Sequence, residues 1–305
     1  MRYIFMIKVA FIIAFVLISF GHISLKAQET VAMTFTEKSF NASDAGKAGL
    51  SFCNNLMENN DTLNVSIGYL MWSPSYDPIN SFNLNADYRI GKKIFVSLEG
   101  MYGLGREFDI YNSGGFKDGT YKPGQMLFGL GAEYRILDIL TVKAKLKYMS
   151  ENLAPEATYG ALGADMAATA IIPVSDNGKI IAQAGVFSIG TKVVSLSGDK
   201  YGLPSSVKIG VGYIHDLNKK NSISILAEEA YYFNNALGTA IGAEAKIADL
   251  VYFRAGYRLG AKYILPSFAS IGAGIKFAGF SINATYLIAS NAATNTVVLS
   301  IGYSL

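Results

Sequence analysis

The chain has 305 residues, of which 51% are hydrophobic and only 16% are charged, and this length suits one large domain or two small ones. A single cysteine, Cys53, excludes an intrachain disulfide and a cysteine-based zinc cluster. The formal net charge of +3 vanishes when the amino-terminal Arg2, Lys8 and Lys26 are removed, so the charge balance gives no case for nucleic-acid binding.

The amino-terminal residues have the order of a secretory signal peptide. Arg2 and Lys8 are basic, an almost purely apolar run extends from Val9 to Phe20, and a cleavage point precedes Gln28. The apolar run is too short for a comfortable membrane-spanning helix. We therefore predict that residues 1–27 are a cleaved signal peptide; an uncleaved amino-terminal anchor is the alternative.

Residues 28–62 are too irregular for a membrane strand. They are polar and rich in asparagine, and they contain a run of small residues from Ala42 to Gly49. We predict that this segment folds into the lumen of the following domain as a hatch, or plug. A loose periplasmic tail is the alternative.

From Leu63 to the end of the chain, residues 63–305, apolar residues recur with a period of two, the pattern of half-buried β-strands. Most of these segments have about 9–11 residues, the length that a tilted strand needs to cross hydrocarbon. The number of segments is even, as in bacterial outer-membrane barrels. The predicted strands are 63–71, 81–90, 94–102, 125–136, 140–149, 159–172, 180–189, 204–215, 222–232, 237–247, 251–258, 267–278, 280–289 and 295–305.

The connections between these segments alternate in length. Those after even-numbered strands are short, as at 91–93, 137–139 and 248–250. Barrels of this class have short periplasmic turns and longer extracellular loops, so the alternation puts both the amino and the carboxyl terminus in the periplasm. The predicted outer loops include 72–80, 103–124, 150–158, 190–203 and 259–266.

Charged residues lie almost entirely on one face of each predicted strand. Lys143, Lys145 and Lys147, for example, alternate with Val142, Ala144 and Leu146. A charge facing lipid costs up to about 2–4 kcal/mol at the bilayer midplane, so we predict that the charged faces line the lumen. They form either a network of ion pairs in a plugged barrel or a polar conduit.

Tyrosine and phenylalanine rings stand near both ends of the apolar faces, as aromatic girdles do at the two membrane interfaces. We therefore predict an all-β fold, a fourteen-stranded antiparallel transmembrane barrel in the cell outer membrane, crossing it many times.

Two outer loops hold aromatic residues and prolines that are suited to protein contact. The alternative is that their rings pack on one another and cap the barrel. The candidate partner-binding residues are Trp72, Pro74, Tyr76, Tyr111, Phe116, Tyr121 and Pro123.

Nothing in the pattern predicts an enzyme, a cofactor or a bound metal. Gly-x-Gly runs such as Gly129–Gly131 do not open a helix in a βαβ unit, so they are not phosphate-binding loops. Any catalytic triad would have to use His215, which falls at a strand end.

Several short motifs occur in a characteristic order across most of residues 40–305: Trp72-Ser73-Pro74, Gly119–Gly124, Leu146–Ala154, Arg254–Arg258 and Pro266–Gly274. In these motifs the chain resembles the PorV/PorQ proteins of the Bacteroidetes, which are built on a FadL-like fourteen-stranded barrel. The resemblance implies a non-enzymatic accessory role in type IX secretion.

The partners that the resemblance implies are the type IX translocon, secreted cargo proteins or both, contacted through the extracellular loops. Outer-membrane lipid surrounds the barrel, and no nucleic acid is expected. A FadL-like transporter of small hydrophobic molecules is the alternative function, and it requires a mostly apolar pocket beside the hatch.

Overall fold

The computed structural model describes residues 31–52, 61–72, 78–289 and 295–305. Fourteen antiparallel strands form one closed barrel, in which each strand pairs with its neighbours in sequence. In chain order they are β1 (Leu63–Trp72), β2 (Ile79–Ile90), β3 (Ile94–Leu104), β4 (Gly124–Leu137), β5 (Leu140–Ala154), β6 (Ala157–Ser175), β7 (Gly178–Gly190), β8 (Ser206–Asn218), β9 (Asn221–Tyr232), β10 (Leu237–Ile247), β11 (Val251–Leu259), β12 (Phe268–Phe277), β13 (Phe280–Ala289) and β14 (Thr296–Ser304).

Each of these strands overlaps one of the predicted segments, so the predicted fold class is confirmed. The sheet closes where β1 pairs with β14, in a register that runs from Asn64 opposite Ser304 to Met71 opposite Val297. Closure is required because hydrocarbon offers no water to an unpaired backbone group at a sheet edge. Within the described ranges, no helix is long and apolar enough to cross a membrane.

The two faces of each strand differ as the period of two predicts. On β5, the outward Leu146 side chain is 70% exposed, whereas the adjacent Lys147 is 8% exposed. Lys145 binds the Glu99 carboxylate on β3, Lys147 binds the Asp165 carboxylate on β6, and Lys143 lines a small internal cavity. The prediction that these three lysines face the lumen is confirmed.

Aromatic rings form two bands on the outside of the barrel, one near each end of the strands. The rings at the end with the longer connections are Tyr102, Tyr148, Tyr257 and Tyr286, and those at the other end are Tyr88, Tyr134, Tyr213, Phe277 and Tyr303. Between these bands the outer surface is apolar. Such a surface is the lipid-facing belt of an outer-membrane barrel, and the predicted location in the outer membrane is confirmed.

The longer connections differ in two ways from the prediction. The predicted loop 150–158 is a tight turn at 155–156, because β5 and β6 remain paired as far as Ala154 opposite Ala157. The hydrophobic period stops near Ser150, where the strands leave the lipid, but backbone pairing continues into water.

Two outer connections also contain short hairpins of their own that the sequence pattern did not predict. One joins Phe108–Tyr111 to Lys117–Tyr121, and the other joins Val193–Val194 to Lys200–Tyr201. The barrel therefore carries ordered structure above its outer rim.

Candidate functional site in the barrel lumen

Residues 31–52 lie inside the barrel against the inner faces of the strands. They contain a single 3-10 turn, Thr34–Glu37, and one turn of α-helix, α1 (Ala42–Ala45). The Asn41 side chain caps α1 by accepting a hydrogen bond from the Ser43 backbone N–H. Helical propensity cannot maintain such short helices in water, so the barrel wall stabilises them.

Glycines on the wall make room for the backbone that follows α1. A Cβ atom added at Gly256 would lie 2.6 Å from the Ala48 nitrogen, and one at Gly242 would lie 2.7 Å from the Lys47 carbonyl oxygen. The small residues of 42–49 therefore pack closely against the wall at the glycines of β10 and β11. This contact explains the small-residue run that the sequence shows.

Wall side chains also hold the α1 region by its backbone. The Thr285 hydroxyl donates to the Ala42 carbonyl at 2.6 Å, and the Ser270 hydroxyl donates to the Gly46 carbonyl at 3.0 Å. The Arg258 Nε donates to the Ala48 carbonyl at 2.8 Å. A carbonyl group at the end of a helix needs a partner outside the helix, and the barrel supplies one for Gly46.

One buried ion pair joins the segment to the wall near the outer rim. The Lys208 Nζ lies 2.7 Å from a Glu37 carboxylate oxygen, and the Tyr232 hydroxyl donates to the same oxygen at 2.7 Å. Burying a charge is costly unless it is paired and hydrogen-bonded, and here both conditions are met for the Glu37 carboxylate.

One cross-strand row in the outer half of the lumen is apolar. Met101, Leu127, Met149 and Ala161 form a continuous cross-strand row on β3 to β6, and all are buried. Apolar side chains of the inserted segment belong to the same hydrophobic cluster; they are Met33, Phe35 and Phe40. The segment thus fills an apolar compartment beneath the outer loops.

Ion pairs between strands lie in both halves of the lumen. In the outer half, the Lys147 Nζ lies 2.7 Å from Asp165, and an Arg258 guanidinium nitrogen lies 3.5 Å from Glu228. Towards the periplasm, the Lys145 Nζ lies 2.8 Å from Glu99, and the Arg254 Nε lies 2.6 Å from Glu244. These pairs support the predicted network of ion pairs within the barrel.

The sequence pattern predicted that Trp72 lies in an exposed outer loop. The structure places it elsewhere. It is the last residue of β1, only 6% of its surface is exposed, and the Lys38 ammonium lies 4.5 Å from the ring centre. The cause is the strand alternation, because Trp72 shares the inward face with the buried Leu70. Its expected exposure was therefore wrong, and its ring belongs to the lumen.

The other described candidates lie on the 105–123 connection and differ in exposure. Tyr111 and Phe116 are 61% and 75% exposed, as predicted for contact residues. Tyr121 is half-buried, with its ring 5.5 Å from that of Phe108, and it donates a hydrogen bond to the Asn152 side chain.

Pro123, the last candidate on this connection, is half-buried, and its carbonyl accepts a hydrogen bond from the Gly105 backbone N–H at 2.9 Å. Pro74 and Tyr76 lie outside the described residues. The candidates therefore do not form one surface: Trp72 is in the lumen, whereas Tyr111 and Phe116 are exposed on the hairpin.

Sequence reasoning missed the cluster of Glu37, Lys208 and Tyr232. Lys208 could be assigned to the lumen by alternation, but its partner is 171 residues away in the sequence. No local pattern connects residues that are so far apart.

No family model matches the chain, and no curated protein matches it. Solved structures share its fold. The Pseudomonas putida toluene transporter TodX is 12% identical, with a TM-score of 0.59 over 88% of this chain and 99% of that chain. The Ralstonia pickettii toluene transporter TbuX is 12% identical, with a TM-score of 0.57 over 88% and 99%.

The CymD monoaromatic hydrocarbon channel is also 12% identical, with a TM-score of 0.56 over 87% of this chain and 97% of that chain. At this level of identity the likeness shows the fold alone. The chain is therefore similar to these barrels in architecture, and the predicted FadL-like barrel is confirmed as a fold.

Proposed function

We propose that this barrel carries small hydrophobic molecules across the outer membrane, with residues 31–52 as its plug. Water-filled channels of this class have polar interiors. Sites for small molecules are instead mostly apolar, and the hydrophobic cluster between wall and plug in the outer lumen has that character.

The observation that carries the proposal is the buried row of Met101, Leu127 and Met149 facing the plug. The fold likeness to barrels described as toluene transporters and as a monoaromatic hydrocarbon channel adds support. This function is the alternative that the sequence left open, and these observations favour it over the accessory role in secretion.

Trp72 offers a direct test, because it is the single tryptophan of the chain and its ring lies in the lumen. Bromobenzene, whose heavy atom quenches fluorescence on contact, is titrated into the purified barrel in detergent. We expect the quenching of Trp72 fluorescence to saturate with bromobenzene concentration and to be reversed when toluene is added as a competitor. Quenching that rises linearly, without saturation or competition, would count against a binding site.

A pair of variants on β4 sharpens this test. Leu127→Asn adds a polar group to the apolar lining, and burying such a group without partners costs about 1–3 kcal/mol, so affinity should fall by about tenfold or more. Leu130→Asn changes the opposite, outward face and should leave affinity unchanged. Faster uptake of labelled toluene by cells that produce the parent barrel would extend the result from binding to passage.

A second candidate function is the PorV/PorQ-like accessory role, and one observation favours it. The outer hairpin is braced by the Lys117–Asp109 ion pair at 2.7 Å and carries the exposed rings of Tyr111 and Phe116. Large exposed rings on an ordered support are suited to protein contact.

This second candidate is tested by pull-down from native membranes at equal barrel abundance. Tyr111→Ala combined with Phe116→Ala should reduce recovery of translocon or cargo chains, whereas Asp118→Ala on the same hairpin should not. Equal recovery from all three membranes would leave the rings without a partner role.

A further inference from the structure

The inserted segment passes through the whole lumen, and its contacts give the direction of travel. At its first described residues, Val31 forms a parallel bridge with Gly202, and the Ala32 N–H donates to the Gly202 carbonyl at 2.9 Å. Gly202 belongs to the connection between β7 and β8, at the end of the barrel with the long connections. The segment therefore begins at the outer mouth.

The next contacts lie progressively deeper in the barrel. Glu37 binds Lys208 near the outer end of β8, and Ala42 is bound from the middle of β13. Phe52 lines a cavity together with Thr141 and Lys143, which lie near the periplasmic end of β5. The order of the residues along the chain matches their order along the barrel axis.

The chain then reaches the periplasmic rim. The Arg89 side chain donates to the Asp61 carbonyl at 3.2 Å, and the Lys276 Nζ lies 3.8 Å from the Asp61 carboxylate. Both partners stand at the short-turn ends of their strands, and β1 starts at Leu63. Between Val31 and Asp61 the chain has crossed the membrane once, from outside to inside.

We propose that the amino terminus of the mature chain lies on the extracellular side and that the plug is latched there. With the predicted cleavage before Gln28, residues 28–30 span at most about 10 Å, so the new terminus stays beside the outer mouth. The strand count alone put both termini in the periplasm. The start of β1 does lie at the periplasmic rim. The segment before β1 crosses the lumen, however, so the residues that precede this crossing lie at the outer mouth.

This direction determines which contacts control the plug. Its periplasmic end continues covalently into β1, whereas its outer end is held by non-covalent contacts: the Ala32–Gly202 hydrogen bond and the buried Glu37–Lys208 pair. The free end is therefore the outer one, and release of the plug begins with contacts that a ligand or protein arriving from outside meets first. The inference holds whatever the barrel transports.

Epitope tags test the topology in intact cells. One tag is inserted between Gln28 and Glu29, a second between Gly114 and Gly115 in the outer hairpin, and a third between Lys219 and Lys220 in a periplasmic turn. We expect antibody to label the first two tags equally on intact and permeabilised cells, and the third only after permeabilisation. An amino-terminal tag that behaves like the third would overturn the proposal.

A disulfide test covers the case in which the amino-terminal tag blocks assembly. In a Cys53→Ser background, Val31→Cys is paired with Gly202→Cys, and separately with Lys219→Cys at the opposite end of the barrel. Folded barrels, identified by their heat-dependent mobility in gels, should cross-link in the first pair and not in the second. Absence of the first cross-link, or presence of the second, would contradict the threading direction. Neither result depends on transport, so these experiments test the threading direction independently of the proposed function.

Discussion

The two halves of the lumen are closed by different interactions. In the outer half, apolar wall residues such as Leu127 and Met149 belong to one cluster with apolar residues of the plug, and the buried Glu37–Lys208 pair joins the plug to the wall. In the periplasmic half, charged side chains such as Lys145 and Glu99 pair from strand to strand. The plug and the barrel wall are therefore stabilised separately, since the Glu37–Lys208 pair joins plug to wall, whereas the Lys145–Glu99 pair joins strand to strand.

The largest effect is expected from Glu37→Ala, which leaves the buried Lys208 ammonium without its carboxylate. Removing one partner of a buried ion pair costs about 3–5 kcal/mol because the other charge remains unpaired. The barrel strands keep their backbone bonds, so the loss should appear as faster hydrogen exchange in residues 31–52 only. Hydrogen exchange measured by mass spectrometry on the barrel in lipid reports it.

The matched control for this variant removes both charges. Glu37→Ala combined with Lys208→Met leaves no buried charge unpaired, so much of the protection should return. If Glu37→Ala exchanged as slowly as the parent, the latch would not depend on this ion pair.

A smaller effect is expected where the plug meets wall glycines. Gly256→Ala adds a methyl group 2.6 Å from the Ala48 nitrogen, and overpacking of this kind typically costs about 1–3 kcal/mol. Exchange in 42–49 should rise while the outer residues 31–37 change less. The matched control is Gly100→Ala on β3, where an added methyl would meet nothing within 4 Å; equal effects of the two changes would exclude a specific steric cause.

The sequence predicts the wall well because lipid imposes a rule on every strand. Residues that face lipid must be apolar. The alternation around Leu146 and Lys147 therefore indicates both that this segment is a strand and which of its faces points outward. The same rule would have assigned Trp72 to the lumen, since it lies on the same face of the strand as Leu70. Ser73 and Pro74, which follow Trp72, are residue types common in loops, and the predicted loop 72–80 therefore included it.

The plug was predictable only as a segment with small residues. Its contacts join residues far apart in sequence, such as Thr285 with Ala42 and Lys208 with Glu37, and no periodic rule governs them. Its direction through the lumen was likewise hidden, because counting strands gives the side on which β1 begins but not the path that leads to β1.

The smallest effect is expected in the periplasmic half, from Lys145→Met on β5. The Lys145 and Glu99 side chains are 34% and 24% exposed, so water screens the pair and the Glu99 carboxylate can be solvated after the lysine is removed. Partly exposed pairs of this kind contribute about 1 kcal/mol or less. Urea unfolding of the barrel in lipid vesicles should show a loss of that size, and hydrogen exchange in residues 31–52 should stay at the parental rate. If Lys145→Met released the plug as Glu37→Ala does, the two halves would be coupled, and separate stabilisation of plug and wall would be the wrong description of this lumen.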